Sequence, residues 1–290
     1  MPDMAPHMAM DTVITSESTR SSDVQLPQIV FRQIQTLMYQ RFGIALADRK
    51  KDLVVSRLAD RLRQRKLRSY EEYMQVVLRD QSGEELSAMV DALTTNFTSL
   101  YREPEHFAYL EQAVLPQLRG QSSISIWSAG CASGEEPYSI ACWLIEKLEP
   151  PRPETSILAT DISGRALKAA QQGAYAEETF RGLGPQWRKR FLLRGEGRWN
   201  GWYRFKPAVR QQVRFKYLNL NEPFSNAGLY DVIFCRNVMI YFDQPTRDGL
   251  LARLAAQLRP GGYFLPGHAE SLSPELHGMK RVHTAVYRKT

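Results

Sequence analysis

An acidic pair set directly after a glycine-bearing turn is the first place in this 290-residue chain where residue type and spacing suggest chemistry. The segment reads Trp127-Ser128-Ala129-Gly130-Cys131-Ala132-Ser133-Gly134-Glu135-Glu136. A strand, a tight turn and a helix fit that order, and in a doubly wound sheet such a turn brings backbone close to a ligand beyond the strand ends. Gly130 and Gly134 serve that geometry. The spacing is not the GxGxxG of dinucleotide binders, and Glu135-Glu136 would repel a pyrophosphate seeking a positive helix start. Carboxylates suit a cationic ligand instead, and S-adenosylmethionine carries both a sulfonium and an ammonium. A glutamate in the first turn of a helix also complements the helix dipole, so the loop alone leaves the ligand open. Asp161, roughly thirty residues further on and after an apolar run, suits acceptance of two ribose hydroxyls and equally suits a helix N-cap. Loop and aspartate together favour the nucleoside reading.

The elements that must position these residues follow from periodicity. Residues 1–22, rich in Ser, Thr and Met without a sustained period, are expected to form a disordered tail. Val30, Phe31, Ile34, Leu37, Met38 and Phe42 recur at three and four, which predicts a helix over 30–42 ended by Gly43. A second helix capped by Asp48 carries Leu53, Val54, Leu58 and Leu62, and Ser69-Tyr70-Glu71-Glu72 and Ser82-Gly83-Glu84-Glu85 match the capping box before further apolar runs. Residues 23–91 thus read as a small all-helical N-terminal domain, followed by a linker and helix over 92–120. From 121 to 290 short β-branched runs alternate with helical ones, the pattern of a parallel sheet with crossover helices. Strands are predicted at 124–128, 157–160, 213–217, 230–235 and 262–265, and helices at 136–147, 163–172 and 246–258. Arg259-Pro260-Gly261-Gly262 reads as a helix stop and turn. The fold class is α/β, a doubly wound Rossmann-like domain. About 176–212, rich in Arg, Gly and Trp, breaks the rhythm and reads as an inserted small antiparallel β-subdomain with a strand pair around 195–205.

Taken together, four segments resemble the chemotaxis receptor glutamate methyltransferases, the CheR family. They are Leu93-Thr94-Thr95-Asn96-Phe97-Thr98-Ser99-Leu100-Tyr101-Arg102-Glu103, the glycine loop through Pro137-Tyr138-Ser139, Ala159-Thr160-Asp161-Ile162, and Phe234-Cys235-Arg236-Asn237-Val238-Met239-Ile240-Tyr241-Phe242-Asp243. The likeness runs from about residue 28 to the end. It implies that Asn96, Thr98 and Arg102 reach the cofactor from the linker. Glu135 and Asp161 would hold its amino-acid and ribose portions, and Asn219-Leu220 with Arg236-Asn237 would line the adenosine side. Arg102 and Tyr241 would sit nearest the transferring methyl as catalytic residues. Leu100-Tyr101 stands where the family usually has two Phe, which leaves these roles intact. The implied reaction moves methyl from S-adenosylmethionine to receptor glutamate carboxylates, giving methyl esters and S-adenosylhomocysteine. A glutamate has a reference pKa of about 4.3, so at neutral pH it is already the nucleophile and no metal or general base is called for.

The remaining composition bounds partners. A formal net charge of +7 suits an acidic partner, and nine basic residues between Arg49 and Arg68 face only Asp52 and Asp60. Such a run is commonly a solvated face; by the resemblance it meets the acidic cytoplasmic helices of a receptor, with Arg57, Arg61 and Arg65 spaced to share a face as substrate-binding residues. The insertion is a place where a receptor's C-terminal peptide could add a strand. His106, His268, His277 and His283 show no metal-ligand spacing and read as structural or surface residues. Cys131, Cys142 and Cys235 are expected to be reduced packing residues. No apolar stretch suggests a membrane span or signal core, so a cytoplasmic protein without membrane insertion is expected. Two rivals compete. A nucleic-acid methyltransferase would use the basic charge and Trp199, Trp202 and Tyr203, but Arg236-Asn237-Val238-Met239 occupies the place of the Asn/Asp-Pro-Pro-aromatic motif. A non-catalytic cofactor-sensing adaptor should have lost Arg102 or Tyr241, and both are present.

Overall fold

The computed structural model describes residues 24–148, 153–224, 229–270 and 272–290. The expected disordered tail lies outside them. The chain begins with four helices, α1 Gln28–Phe42, α2 Lys51–Arg65, α3 Tyr70–Arg79 and α4 Glu84–Leu93. Their apolar stripes close on one core that includes Phe31, Ile34, Met38, Val54, Leu58, Tyr73 and Met89. Gly43 ends α1 at φ 70°, returning its amide to the Met38 and Tyr39 carbonyls. Ser69 caps α3 by accepting from the Glu72 amide. The second expected capping box does not form. Asp80 accepts from the Glu85 and Ser82 amides instead, because Gly83 sits at the cap in the left-handed region. A short turn over Asp48–Lys50, with no side-chain cap from Asp48 onto α2, leads into α2.

A linker then reaches α5 Pro104–Tyr109, a wide turn at Leu110–Val114, and α6 Leu115–Leu118. The α/β part follows: β1 Ser123–Ala129, α7 Glu135–Lys147, β2 Glu154–Asp161 and α8 Gly164–Gln172. Next come β3 Ala174–Ala176, α9 Pro185–Phe191, β4 Leu192–Arg194, β5 Trp202–Phe205 and α10 Pro207–Arg210. The chain returns through β6 Val213–Tyr217, β7 Tyr230–Cys235, α11 Gln244–Ala256 and β8 Leu258–Pro266. It closes with β9 Glu275–Leu276, β10 Met279–His283 and β11 Val286–Lys289.

The main sheet runs β6-β2-β1-β7-β8-β11-β10-β9. Five strands from β6 to β8 are parallel, with Ile126 beside both Ile157 and Val232 in register. The order reverses between β1 and β7, and ligands bind at such a switch point beyond the carboxyl ends. All five predicted parallel strands are present. The segments β9 to β11, antiparallel beyond β8, escaped the sequence pattern because their exposed positions carry Lys280, Arg281, His283 and Arg288 among few apolar residues. Pro260-Gly261 lies inside β8 as a register shift against β7 and is not the helix stop; α11 ends at Ala256. The insertion forms a three-stranded sheet, β3-β5-β4, with β5 at its centre, one strand more than the expected pair. The three cysteines are free and buried, and burial pushes each thiol up.

The helical bundle is fastened to the sheet end at several points. Ile44 bridges Phe242, the Ala45 amide donates 2.9 Å to the Tyr241 carbonyl, and Tyr39 donates 2.8 Å to Asp243. No helix among the described residues is long and apolar enough to cross a membrane.

Candidate functional site

A deep pocket opens at the carboxyl ends of β1, β2 and β7, roofed by the helical bundle and the linker. Its wall includes Asn96, Thr98, Arg102, Gly130, Asp161, Asn219, Leu220, Arg236, Asn237 and Tyr241. The structure thus brings together nine of the ten residues expected at the cofactor, and Tyr241 with them. The bundle contributes Phe42, Ile44, Leu46, Lys50 and Leu53 to the same wall.

Local backbone geometry explains the cradle. Gly130 turns at φ 87° as β1 ends, and a Cβ there would stand 2.3 Å from Val238 Cγ2. Gly134 has a different duty: a Cβ on it would strike Ala170 Cβ at 2.7 Å, so its absence lets α7 start against α8. Asp161 ends β2 and is tied by two backbone donors, Ala132 N–H to Oδ2 and Ser163 N–H to Oδ1, each at 2.8 Å. Burial pushes its carboxyl above the ordinary aspartate value, Asp91 adds to this, and the backbone hydrogen bonds oppose it. The cap of α8 is Ser163, accepting from Ala166 N–H, so Asp161 does not spend its oxygens on capping that helix.

The acidic residue on the pocket wall is Glu136. Glu135 lies outside it, accepting 2.7 Å from Ser133 Oγ, with burial raising its pKa. Glu136 accepts from Ser128 Oγ at 2.6 Å and pairs with Arg236 Nε at 2.7 Å. The side-by-side sequence Glu135-Glu136 identified an acidic helix start, without telling which of the two lies on the pocket wall. Arg236 also donates through Nη1 to the Arg102 carbonyl, which fixes the linker from beneath. Arg236 Nη2 and Asn237 Oδ1 are buried without a hydrogen-bond partner among the described residues. One donor and one acceptor therefore await polar ligand atoms in a pocket that also holds two carboxylates, and this donor set fits a cationic nucleoside with hydroxyls.

The linker is clamped from the other side. Asn96 donates 3.1 Å to Ser163 Oγ, and Ser163 donates 2.6 Å to Asp91. Arg102 itself is half-buried, and its Nη1 reaches the Phe97 carbonyl at 3.3 Å. Asn219 is fixed by donating to the Arg41 carbonyl at 2.7 Å. Sequence reasoning missed Glu270, which accepts from Met239 and Gly267 amides at 2.7 Å each and so shapes the turn that carries Tyr241. Burial raises its pKa. A lone glutamate four residues beyond β8 gave no signal of that role.

Arg57, Arg61 and Arg65 are not on the pocket wall, and their guanidinium groups are engaged internally. Arg57 donates to the carbonyls of Ala92, Leu93 and Thr94 and to Thr95 Oγ1, closing the end of α4. Arg61 and Arg65 both pair with Glu85, whose side chain is 1% exposed. The shared face expected from their spacing is real, and α4 occupies it.

Comparison with known proteins follows this geometry. Residues 96–287 match the CheR methyltransferase SAM binding domain, and residues 29–94 match the CheR methyltransferase all-alpha domain. Chemotaxis protein methyltransferase 2 of Pseudomonas aeruginosa is 43% identical over 258 residues, covering 89% of this chain and 91% of the relative. The chemotaxis protein methyltransferase of Escherichia coli is 39% identical, covering 84% of each chain. That of Borreliella burgdorferi is 34% identical, covering 95% of this chain and 99% of its own.

Proposed function

Because the chain belongs to the CheR methyltransferase family, we propose that it methylates glutamate side chains in the cytoplasmic helices of chemotaxis receptors, from the cytoplasm, yielding methyl esters and S-adenosylhomocysteine. It is an S-adenosylmethionine-dependent methyltransferase. The observation that carries the glutamate reading is the convergence of Arg102, Tyr241 and Lys50 on the pocket that Asp161 and Glu136 also line.

Asp161 and Asn237 suit the ribose and base side, and Glu136 supplies the negative charge assigned from sequence to Glu135. When bound, the donor offers a methyl carbon activated by its sulfonium. The acceptor carboxylate is ionised at neutral pH, so the chain's task is alignment, which can supply on the order of 7–11 kcal/mol. Arg102 presents a planar fork suited to a carboxylate. Tyr241 is held by its own carbonyl on Ala45 and lies with Lys50 Nζ 5.7 Å from its ring centroid. The apolar side chains Phe42, Ile44, Leu46 and Leu53 keep water from the reacting groups. Residues 23–91 are read as the module that meets the receptor, and 121–290 as the transferase with the insertion near 176–212. The small sheet has β3 and β4 as its edge strands, and an edge strand is where a receptor's C-terminal peptide would add. Trp199 and Trp202 pack edge to face on one another and are not on the pocket wall, which favours a protein acceptor over a nucleic acid.

Incubation with receptor membranes and methyl-labelled donor tests this reading. Label should appear in receptor protein and be released by base as methanol; label in RNA, with none in base-labile protein ester, would overturn it.

A further inference from the structure

Next to the Arg102 turn, among residues that do not line the pocket, lies a second cluster of chemically active groups. Glu103 stands at the N-terminal edge of α5 and His106 one turn later, an i, i+3 pairing that puts a carboxylate and an imidazole on one face, as in carboxylate-histidine metal sites. His106 Nδ1 is 3.4 Å from Glu103 Oε2. The His268 ring meets the His106 ring edge on, with centroids 4.8 Å apart. One ligating atom from each of Glu103, His106 and His268 lies within 4.8 Å of the others.

Three observations point to a ligand there. His106 is 1% exposed, yet among the described residues neither of its ring nitrogens has an aligned hydrogen-bond partner, and Glu103 Oε2 has none either. Unpartnered buried polar atoms are costly, and an imidazole with both nitrogens idle is uncommon in a packed interior. The Ala285 backbone lies near enough to act on the ring electrostatically, and a metal-ligating imidazole commonly sets its second nitrogen against such a backbone group. Secondly, the cluster is already assembled: the His268 amide donates 3.1 Å to Glu103 Oε1, which brings the loop after β8 against α5 and leaves Oε2 open. Thirdly, two carboxylates share one guanidinium. Arg236 pairs with Glu136 at 2.7 Å and stands 3.8 Å from Glu103 Oε2, so a single guanidinium faces two carboxylates there.

We propose that Glu103, His106 and His268 bind a divalent transition-metal ion of the zinc type, with water in the fourth position. Two imidazoles and a carboxylate are a donor set this ion takes readily, and ligands about 2 Å from a tetrahedral centre stand roughly 3.3 Å apart. His268 is exposed, so the cluster is reached from solvent on its side. Occupancy would join α5 to the end of β8 across the turn in which Tyr101 and Glu103 hold φ values of 52° and 53°, the turn that presents Arg102. The ion acts on that turn and takes no part in methyl transfer.

The test uses the full chain without a histidine tag, stripped with a chelator and titrated with Co²⁺ while its visible absorption is followed, then with competing Zn²⁺. One ion per chain, the strong visible bands of a four-coordinate site, displacement by Zn²⁺ and a Zn²⁺-dependent rise in melting temperature are expected. His268→Ala and Glu103→Gln should each weaken binding roughly ten-fold or more. Near-ultraviolet circular dichroism checks that both variants keep the fold. Absence of stoichiometric binding in the wild type would overturn the proposal. So would affinity unchanged in both variants, or a loss of binding on His277→Ala, which lies outside the cluster.

Discussion

Arginines on α2 and arginines around the pocket are the same residue put to opposite uses. On α2, Arg57 closes the carbonyl end of α4 and Arg61 and Arg65 hold Glu85, so three arginines of the helix that reads as a charged surface serve as internal fastenings. At the pocket, Arg236 is also fastened, yet Arg102 makes one contact of 3.3 Å to a neighbouring carbonyl and keeps its fork available. Spacing at i, i+4 gives a shared face; whether that face meets solvent, a partner or another helix depends on what the tertiary fold brings to it. The consequence is a division of labour: α2 substitutions should act on stability and on the linker, and Arg102 on chemistry.

The largest effect that would sharpen this contrast is expected at Arg102. Arg102→Ala should lower the single-turnover methylation rate by roughly 10²–10³, the loss typical of removing one transition-state donor, with an unaltered melting temperature. Next is Glu85→Ala, which removes the anion that two arginines share. It should cost about 2 kcal/mol of stability in urea unfolding while activity per folded molecule stays close to wild type. If that variant kept its stability but lost receptor methylation, α2 would be a docking surface and the contrast would break.

A third expectation concerns pH. Burial raises the Asp161 pKa. The ionised carboxylate is the form that accepts from both ribose hydroxyls, so affinity is full above that raised pKa and declines as pH falls through it, at a higher pH than an ordinary aspartate would allow. For folding alone the sign is opposite: the folded chain takes up the proton more readily, so this residue's contribution to stability grows as pH falls. Titrations of S-adenosylhomocysteine across a pH series should show the decline in wild type and a shallower one in Asp161→Asn. The smallest effect is expected for Arg65→Ala, under about 1 kcal/mol by urea unfolding, because Arg65 is half-exposed and Arg61 continues to hold Glu85.

The parts of the molecule that were legible in the sequence are those governed by short-range rules. Apolar periodicity located α1 and the five parallel strands, and the glycine loop, Asp161 and the Arg236-Asn237 segment fell on one pocket wall as their positions at strand ends require. Other features depend on long-range packing. Glu136, the neighbour of the expected Glu135, is the acidic helix-start residue on the wall, a choice that adjacent identical residues do not reveal. Ser163 takes the cap that Asp161 was equally suited to, and Asp80 takes the one expected of Ser82. Strands β9 to β11 pair by ladder hydrogen bonds with little apolar signature. Glu270, which shapes the Tyr241 turn, is recognisable only once β7 and β8 lie side by side.

The central claim is that the pocket at the ends of β1, β2 and β7 takes the methyl donor through Asp161. Calorimetric titration of S-adenosylhomocysteine into wild type and Asp161→Asn at neutral pH tests it most directly. The account predicts one site per chain and roughly ten-fold or more weaker binding in the variant, the worth of one charge-assisted hydrogen bond. Equal affinity in the two proteins would contradict it.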